Sequence, residues 1–353
     1  MKIGIITIND NRNLGNRLQN FAVQETVRKL AIDTIVETIR NTNRKQRGET
    51  LKVRLKNALR DCKYYKRTKN FSKFNKNIVF SKQSYDAVND NSCLNKEYDY
   101  FLVGSDQVWN PNYGWLNSID LLSFAKPEQR IAFSASFGVS EIPEEYNQEV
   151  AKQLKQFKAI SVREEAGAKI VNALTERKDI KVLVDPTMLL TIVDWDKVAK
   201  QPKQYKSEKY ILCYFLGRLS LERRREIERI AKEKDCKIIS ILDKNDPFFA
   251  SGPSEFVWLE KHAELICTDS FHSSVFAVLY NRPFIIFDRE QAGIKSMNSR
   301  IDTLLTKLEI EGRRYNGKKI TDENLNHDYM KAYKNLDKER VEANEFLKRA
   351  LGK

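Results

Sequence analysis

Short apolar runs alternate with polar loops and amphipathic stretches along most of this chain. The first run, residues 3–8, leads through a polar loop into residues 16–30, where apolar positions recur at helical spacing. Further apolar runs, each predicted as a strand and each followed by polar residues, come at residues 34–37, 100–103, 130–134, 159–162 and 181–184. Repeated units of this kind predict one parallel sheet with helices on both faces.

A second series of the same pattern begins after a lysine-rich stretch that contains Pro202. Strands are predicted at residues 210–216, 236–242, 265–267 and 284–287, with helices at 221–234 and 256–262 between them. The chain therefore divides into an N-terminal α/β domain (residues 1–195), a linker (196–208), a C-terminal α/β domain (209–320) and a charged helical segment (321–353).

The charge of the chain is concentrated in one segment of the first domain. Residues 40–82 contain fifteen Lys or Arg and two acidic residues, a net +13, whereas the whole chain carries +14. Leu51, Leu55 and Leu59 fall at helical spacing within it, so we predict a basic helical insertion with one apolar stripe. Such an arm is expected to dock on an anionic membrane surface; the alternative is an ordinary packed helical pair. Nucleic acid is not expected, because no recognised binding module accompanies the charge.

Composition limits the cell compartment of the protein and the kinds of site that it can contain. The five cysteines have an odd count and no metal-type spacing, which favours a reducing compartment without structural disulfides. The three histidines form no ligand motif, so no metal site is expected. The chain has no apolar run of about 18 residues and no signal-peptide core at its start. We expect a cytoplasmic protein that the arm places on the inner face of the cell membrane.

The most informative segment follows the predicted strand 265–267. Asp269 and Ser270 are good N-cap residues, so a helix is predicted to begin there. That places His272 in the first helical turn, at the carboxyl edge of a parallel sheet, where free N–H groups and the helix dipole favour an anionic ligand. A histidine at this place can donate a hydrogen bond or move a proton. The alternative is a capped helix whose histidine only packs.

Two further charged residues follow predicted strands. Arg163 can hold a phosphate or carboxylate with its guanidinium; its alternative is a surface salt bridge with Glu164 or Glu165. Asp106 can act as a general base on a sugar hydroxyl; its alternative is a local turn or a helix cap.

Polar and aromatic residues near these positions are candidates to line a ligand cleft. Asn13, Asn16 and Gln19 cluster where the first strand ends, and capping of the first helix is their alternative role. Gln107 and Trp109 follow Asp106. Trp109, like Trp115, can stack on a sugar or belong to the core.

Six segments together resemble the polysaccharide pyruvyl transferase family. They occur in the family's order within residues 1–310, at positions 14–20, 103–111, 161–164, 184–186, 268–277 and 299–305. The resemblance implies two Rossmann-like domains in a glycosyltransferase-B-like fold, with the active site in the cleft between them. It also implies transfer of a pyruvyl group from phosphoenolpyruvate to a sugar of an exopolysaccharide or capsule, or to its lipid-linked precursor. No cofactor or metal is implied.

The resemblance also implies roles for individual residues. Arg163, Ser270, His272 and Ser273 would bind the donor in that cleft, and His272 and Asp106 would be catalytic. The family motif often reads Asp-Arg-Leu-His, whereas Ser270 stands here where that arginine would contact the donor. Candidates to replace it are Arg282, Arg289 and Arg300. Two alternatives remain open: a glycosyltransferase-like enzyme that uses a nucleotide sugar, and a non-catalytic subunit of polysaccharide assembly.

Overall fold

The computed structural model describes residues 1–41, 64–85, 91–113, 116–290, 299–326 and 328–353. These residues form two compact units. The N-terminal unit consists of the described parts of Met1–Lys63 and Asn75–Leu189 together with Lys338–Lys353, and the C-terminal unit of Tyr64–Phe74 with the described parts of Leu190–Asp337.

Each unit contains one sheet in which every described strand pair is parallel. The N-terminal strands are β1 (Lys2–Ile6), β2 (Ile35–Asn41), β3 (Phe80–Tyr85), β4 (Tyr100–Val103), β5 (Arg130–Ala135), β6 (Ala159–Val162) and β7 (Lys181–Val182), in the order β3-β2-β1-β4-β5-β6-β7. The C-terminal strands are β8 (Tyr210–Tyr214), β9 (Lys237–Ser240), β10 (Leu265–Thr268) and β11 (Phe284–Ile286), in the order β11-β10-β8-β9.

Helices connect these strands. The described α-helices are α1 (Leu14–Leu30), α2 (Tyr65–Phe74), α3 (Asn147–Leu154), α4 (Glu165–Thr175), α5 (Ile192–Asp196), α6 (Leu221–Glu233), α7 (Pro253–His262), α8 (Phe271–Leu279), α9 (Ser299–Leu308), α10 (Asp322–Leu325) and α11 (Met330–Ala350). Two α/β units, each built on a parallel sheet, confirm the predicted fold class.

The apolar runs form strands because both faces of each sheet are covered. In the N-terminal unit, Ile3 and Ile5 of β1 are fully buried and belong to one core cluster with Val23 and Val27 of α1 and Leu102 of β4. Full burial of such a side chain contributes about 1.5–3 kcal/mol. In the C-terminal unit all four residues of β10 are buried, which fixes where the loop after this strand begins.

The C-terminal helix α11 is part of both units, and so differs from the separate segment predicted at 321–353. Near its start, the hydroxyl of Tyr333 donates to the carbonyl of Val278 in the C-terminal unit. Near its end, Ala343, Phe346 and Leu347 belong to the core of the N-terminal unit. These three residues lie at i, i+3 and i+4, and therefore form one apolar face that is buried there.

The predicted basic arm, residues 40–82, is only partly described, because residues 42–63 lie outside the described residues. The described remainder is not entirely helical, because Arg40 lies in β2 and the residues from Phe80 onward belong to β3. Helix α2 belongs to the C-terminal unit, where Phe71 and Phe74 are buried. Its apolar side therefore contacts protein, and the prediction of membrane docking stays with residues 42–63.

Arg67 anchors α2 to the C-terminal unit. Its guanidinium donates to the carbonyls of Phe249 and Ser251, at 2.8 and 3.0 Å, and lies over the ring of Phe249. Burial lowers the pKa of Arg67, and the charge of Tyr214 opposes that shift. In the part of the chain that is described, no helix combines the length and the apolar composition that crossing a bilayer requires.

Candidate functional site

At the carboxyl edge of the N-terminal sheet, three charged side chains meet. Asp106 follows β4, Arg163 follows β6 and Asp185 follows β7. The Nη1 atom of Arg163 lies 2.6 Å from Oδ2 of Asp185, and its Nη2 atom lies 3.3 Å from Oδ1 of Asp106. The side chains of Arg163 and Asp106 are only 1% and 6% exposed. The predicted edge is thus occupied by a buried cluster of one cation and two carboxylates.

Arg163 is held inside this cluster as a cation. Burial acts to lower its pKa, but the charges of Asp185, Asp106 and Glu164 outweigh burial, and the pKa of Arg163 is raised. The predicted surface salt bridge is therefore wrong, because the partners are two buried aspartates. The guanidinium is almost fully buried and holds the two carboxylates, and donor binding by Arg163 stays a prediction.

Glu164 organises the loop after β5. One of its carboxylate oxygens accepts from the hydroxyl of Ser136 and from the backbone amides of Phe137 and Gly138, at 2.9–3.1 Å. Gly138 has φ +66°, and a Cβ there would lie 2.2 Å from Oε1 of Gln107. This loop therefore depends on a glycine and on the carboxylate of Glu164, for which the sequence suggested only a salt bridge with Arg163.

Asp106 has an unusual backbone and several partners. Its φ is +72°, a conformation that non-glycine residues rarely adopt and that clusters at functional sites. Its carboxylate accepts from the backbone amide of Gln107 at 2.9 Å and from the side-chain amide of Asn16. The local-turn alternative is therefore realised in part. A role as general base stays a prediction, since the side chain is almost fully buried.

The polar residues at the start of α1 have separate tasks. Asn13 is the N-cap, and its side chain accepts from the backbone amide of Asn16. Asn16 also donates to Asp106, and Gln19 donates to the hydroxyl of Thr7 at 2.8 Å. Capping thus applies to Asn13 alone, whereas the other two side chains tie α1 to the ends of β1 and β4.

Trp109 and Gln107 do not form a sugar platform. Trp109 is fully buried, its indole donates to the carbonyl of Asp120 at 2.9 Å, and its ring packs against Phe137. Stacking on an acceptor is therefore contradicted for Trp109, and the core alternative holds. The side-chain oxygen of Gln107 accepts from Asn110 at 2.6 Å. Trp115 lies outside the described residues.

The carboxyl edge of the C-terminal sheet has a different construction, centred on Asp269. Its two carboxylate oxygens accept from the backbone amides of Leu216 and Gly217, both at 2.7 Å. Arg289 contacts the same residue, with Nε 3.3 Å from Oδ2 and Nη2 donating to the carbonyl at 3.2 Å. A Cβ at Gly217 would lie 2.7 Å from the Arg289 side chain. Asp269 thus joins the loops after β8, β10 and β11.

His272 lies in the first turn of α8, as predicted. The helix begins at Phe271 with Ser270 as N-cap, and the hydroxyl of Ser270 makes no capping bond. His272 is 7% exposed, and its ring meets that of Phe271 edge-on. The position therefore agrees with both the functional hypothesis and the packing alternative, and only its place at the helix start and the sheet edge favours the former.

The hydroxyl of Ser273 has a partner within the protein, and donor binding by Ser273 stays a prediction. Its hydroxyl donates to Oε1 of Glu260 at 2.6 Å, and both residues are fully buried. Burial raises the pKa of Glu260 well above its ordinary value, and the bond from Ser273 opposes that shift only partly. Sequence reasoning missed Glu260, because a glutamate in a short helix is typically solvated.

A cavity of about 820 Å³ is lined by Lys209, Cys236, Glu264 and Pro283, which immediately precede β8, β9, β10 and β11. It therefore lies at the amino edge of the C-terminal sheet, whereas open α/β sheets bind ligands at the carboxyl edge. In the described ranges, no group of three or more His, Cys, Asp or Glu is placed to hold a metal ion.

Comparison with protein families decides the relationship. The model of the polysaccharide pyruvyl transferase family matches residues 13–291, which is most of the chain. The chain belongs to this family. The matched region contains Asp106, Arg163 and the whole segment from Asp269 to Arg289. Membership also identifies the protein as a transferase.

Solved structures of sugar-modifying enzymes are similar over nearly the whole chain. UDP-GlcNAc 2-epimerase from Neisseria meningitidis has 12% identity and a TM-score of 0.49, covering 98% of this chain and 94% of its own. The UDP-GlcNAc 2-epimerase from Methanocaldococcus jannaschii has 15% identity and a TM-score of 0.49, covering 96% and 92%. Similarity at this level does not bear on the reaction. A search of curated proteins finds no match.

Ser270 stands where the resemblance expects an arginine, and three other arginines are candidates to replace it. Arg289 contacts Asp269, the residue immediately before Ser270, through both its carboxylate and its carbonyl. Arg300 is a buried residue of α9, and the backbone carbonyl of Arg282 accepts from the hydroxyl of Tyr329. Of the three, Arg289 is the one with a described contact to Asp269.

Proposed function

We propose that this family member transfers a pyruvyl group from phosphoenolpyruvate to two hydroxyls of one sugar. The observation that carries the proposal is that His272, in the first turn of α8, lies at the same sheet edge as Arg289, which contacts Asp269 two residues before that helix. Both lie inside the family match. Helix N-termini and arginine are the two features that most often hold phosphate and carboxylate groups in proteins.

The donor would bind as an anion at the start of α8. Phosphoenolpyruvate carries a carboxylate and a phosphate on the same small molecule, so it needs positive potential at two points. The amides of the first turn and the guanidinium of Arg289 supply it, without a metal. The carboxylate of Asp269 partly offsets the positive charge of Arg289. It also fixes the position of the Arg289 guanidinium, because two backbone amides hold the same carboxylate.

The transfer can be written with all atoms balanced. Both sugar hydroxyl oxygens form bonds to the central carbon of phosphoenolpyruvate, and the bond from that carbon to the phosphate oxygen breaks. Of the two hydroxyl protons, one converts the methylene group to a methyl group and the other leaves with phosphate. We assign His272 to proton transfer at the donor, since a histidine can release and accept protons near neutral pH.

The acceptor is proposed from family membership. It would be a sugar unit of a cell-surface polysaccharide or of its lipid-linked precursor. Because Ser270 stands where the resemblance expects an arginine, the test below includes two other functions as outcomes. These are a nucleotide-sugar-dependent transferase and a subunit without catalysis.

Ligand protection separates these functions. The protein is heated with phosphoenolpyruvate, with a nucleotide sugar, or with neither, and the unfolding midpoint is recorded. The proposal expects phosphoenolpyruvate to raise the midpoint and expects phosphate release when sugar acceptors are added. Protection by the nucleotide sugar alone would contradict the proposal in favour of the second function, and protection by neither at millimolar concentration would favour the third.

A further inference from the structure

The N-terminal unit contains a second deeply buried arginine, Arg17, whose surroundings differ from those of Arg163. Arg17 lies in the first turns of α1 and is fully buried. Its Nη2 atom donates to the carbonyl of Ile8 at 3.1 Å and to Oδ1 of Asn9 at 3.0 Å. Its Nε and Nη1 atoms are buried and have no hydrogen-bond partner among the described residues. No carboxylate forms an ion pair with it there.

This arrangement is costly unless something else binds. A buried cation is normally paired, because unpaired burial loses its hydration without compensation. Burial lowers the pKa of Arg17 to about 10, and only the charge of Asp10 opposes the shift. For Arg163, in contrast, two contacting aspartates outweigh burial. Among its described residues, the same unit therefore compensates one buried arginine internally and gives the other no contacting anion.

Residues near Arg17 in the chain also have buried polar atoms without a hydrogen-bond partner among the described residues. Asn9 accepts from Arg17 and Asn20 through Oδ1, while its Nδ2 atom is buried and has no partner in the described part of the chain. The Oε1 atom of Gln19 is in the same condition. These side chains lie where β1 ends and α1 begins, so the positive end of the 17-residue helix adds to the charge of Arg17.

We propose that Arg17, Asn9 and the start of α1 form an anion site that takes a phosphoryl group. Three donor atoms remain there, Nε and Nη1 of Arg17 and Nδ2 of Asn9. A phosphoryl group has three terminal oxygens, one for each of these donor atoms, and forms strong charge-assisted bonds with a guanidinium. Because Arg17 is fully buried, the surrounding chain must move for the ligand to enter.

The natural source of the phosphoryl group rests on the proposed function, whereas the site itself does not. Phosphoenolpyruvate would bring it if the donor binds here in place of the start of α8, and a nucleotide- or lipid-linked sugar would bring it with the acceptor as a diphosphate. The probes are therefore inorganic phosphate, which tests the site, and phosphoenolpyruvate and UDP, which distinguish the two sources.

The experiment compares unfolding midpoints of the whole protein at constant ionic strength. Phosphate at about 20 mM is expected to raise the wild-type midpoint by about 2–4 °C, as a ligand of millimolar affinity would. The gain should disappear in Arg17→Gln and remain in Arg28→Gln, a control on the same helix whose arginine pairs with Glu25 at 2.6 Å. Loss of the phosphoenolpyruvate gain in Arg17→Gln identifies the donor as source, and loss of the UDP gain identifies the acceptor.

A second measurement keeps the proposal testable if Arg17→Gln does not fold. In wild-type protein, the Nε–H resonance of Arg17 should shift as phosphate is added, because the ligand contacts that atom. The proposal is overturned if phosphate leaves both the midpoint and the arginine resonances unchanged. It is equally overturned if the phosphate gain is the same in wild type and Arg17→Gln, since the site would then lie elsewhere. Failure of the pyruvyl reaction with an intact phosphate gain would contradict only the proposed function.

Discussion

The two sheet edges place an aspartate and an arginine in contact but use the pair differently. In the N-terminal unit Arg163 is enclosed by two carboxylates and is 1% exposed. In the C-terminal unit Arg289 contacts one carboxylate, which two backbone amides already hold, and its side chain is 15% exposed. The first pair is compensated within the protein, whereas the second keeps positive potential beside a helix start. An arginine after a strand is thus not by itself a ligand site. The number of carboxylates in contact with it determines whether its charge is available to a ligand.

The largest expected effect comes from breaking the N-terminal pair. Arg163→Met leaves Asp106 and Asp185 buried without their cation, so we expect the free energy of unfolding to fall by about 3–5 kcal/mol. The control Arg28→Met removes a surface pair and should cost no more than about 1 kcal/mol. Equal losses in urea denaturation of the two variants would show that the cluster is not the compensated unit described above.

The next effect concerns turnover at the C-terminal edge. His272→Gln should reduce phosphate release from phosphoenolpyruvate at least about 100-fold, since a positioned acid–base group contributes that much or more. His262→Gln is the matched control, because this histidine is exposed and stacks on Trp258 at 4.0 Å. Unchanged turnover in a folded His272→Gln protein would return His272 to the packing alternative.

A smaller effect sharpens the description of the helix that carries His272. The pKa of Glu260 is raised in the folded state, so that state holds the proton more tightly than the unfolded chain does. Stability should therefore decrease as the pH rises from about 4.5 towards that raised pKa. Glu260→Gln cannot ionise and still accepts from Ser273, so it should lose this decrease. Urea midpoints across the pH range measure it, and Glu264→Gln, at an exposed position, controls for the lost charge.

How far the sequence predicts this molecule depends on the range of each interaction. Strands buried on both faces, such as β10, are continuous apolar runs and were predicted. The edge strand β3 was missed because its residues are mostly polar and it pairs only with β2 among the described strands. Helix α8 was predicted from Asp269 and Ser270, although Asp269 proves to bind the loop after β8 rather than to cap the helix.

The partners of the site residues could not be read from local pattern. Asp185 contacts Arg163 from 22 residues away and Ser105 from 80 residues away. Glu260 and Ser273 meet because α7 and α8 pack together, which neither helix signals alone. Whether Trp109 lies at the surface or in the core depends on how the loop around Phe137 folds. In each case the chemistry of a residue depends on which distant groups the sheet brings to it.

The central claim is that Arg289 supplies the donor-binding charge that Ser270 lacks. Calorimetric titration with phosphoenolpyruvate tests it directly in wild type, in Arg289→Gln and in the control Arg314→Gln, whose arginine pairs with Asp288 and Asp302. One charge-assisted hydrogen bond is worth about 1.5–3 kcal/mol, so Arg289→Gln should bind about ten-fold or more weakly while the control binds as wild type. Equal affinity in wild type and Arg289→Gln would contradict the account.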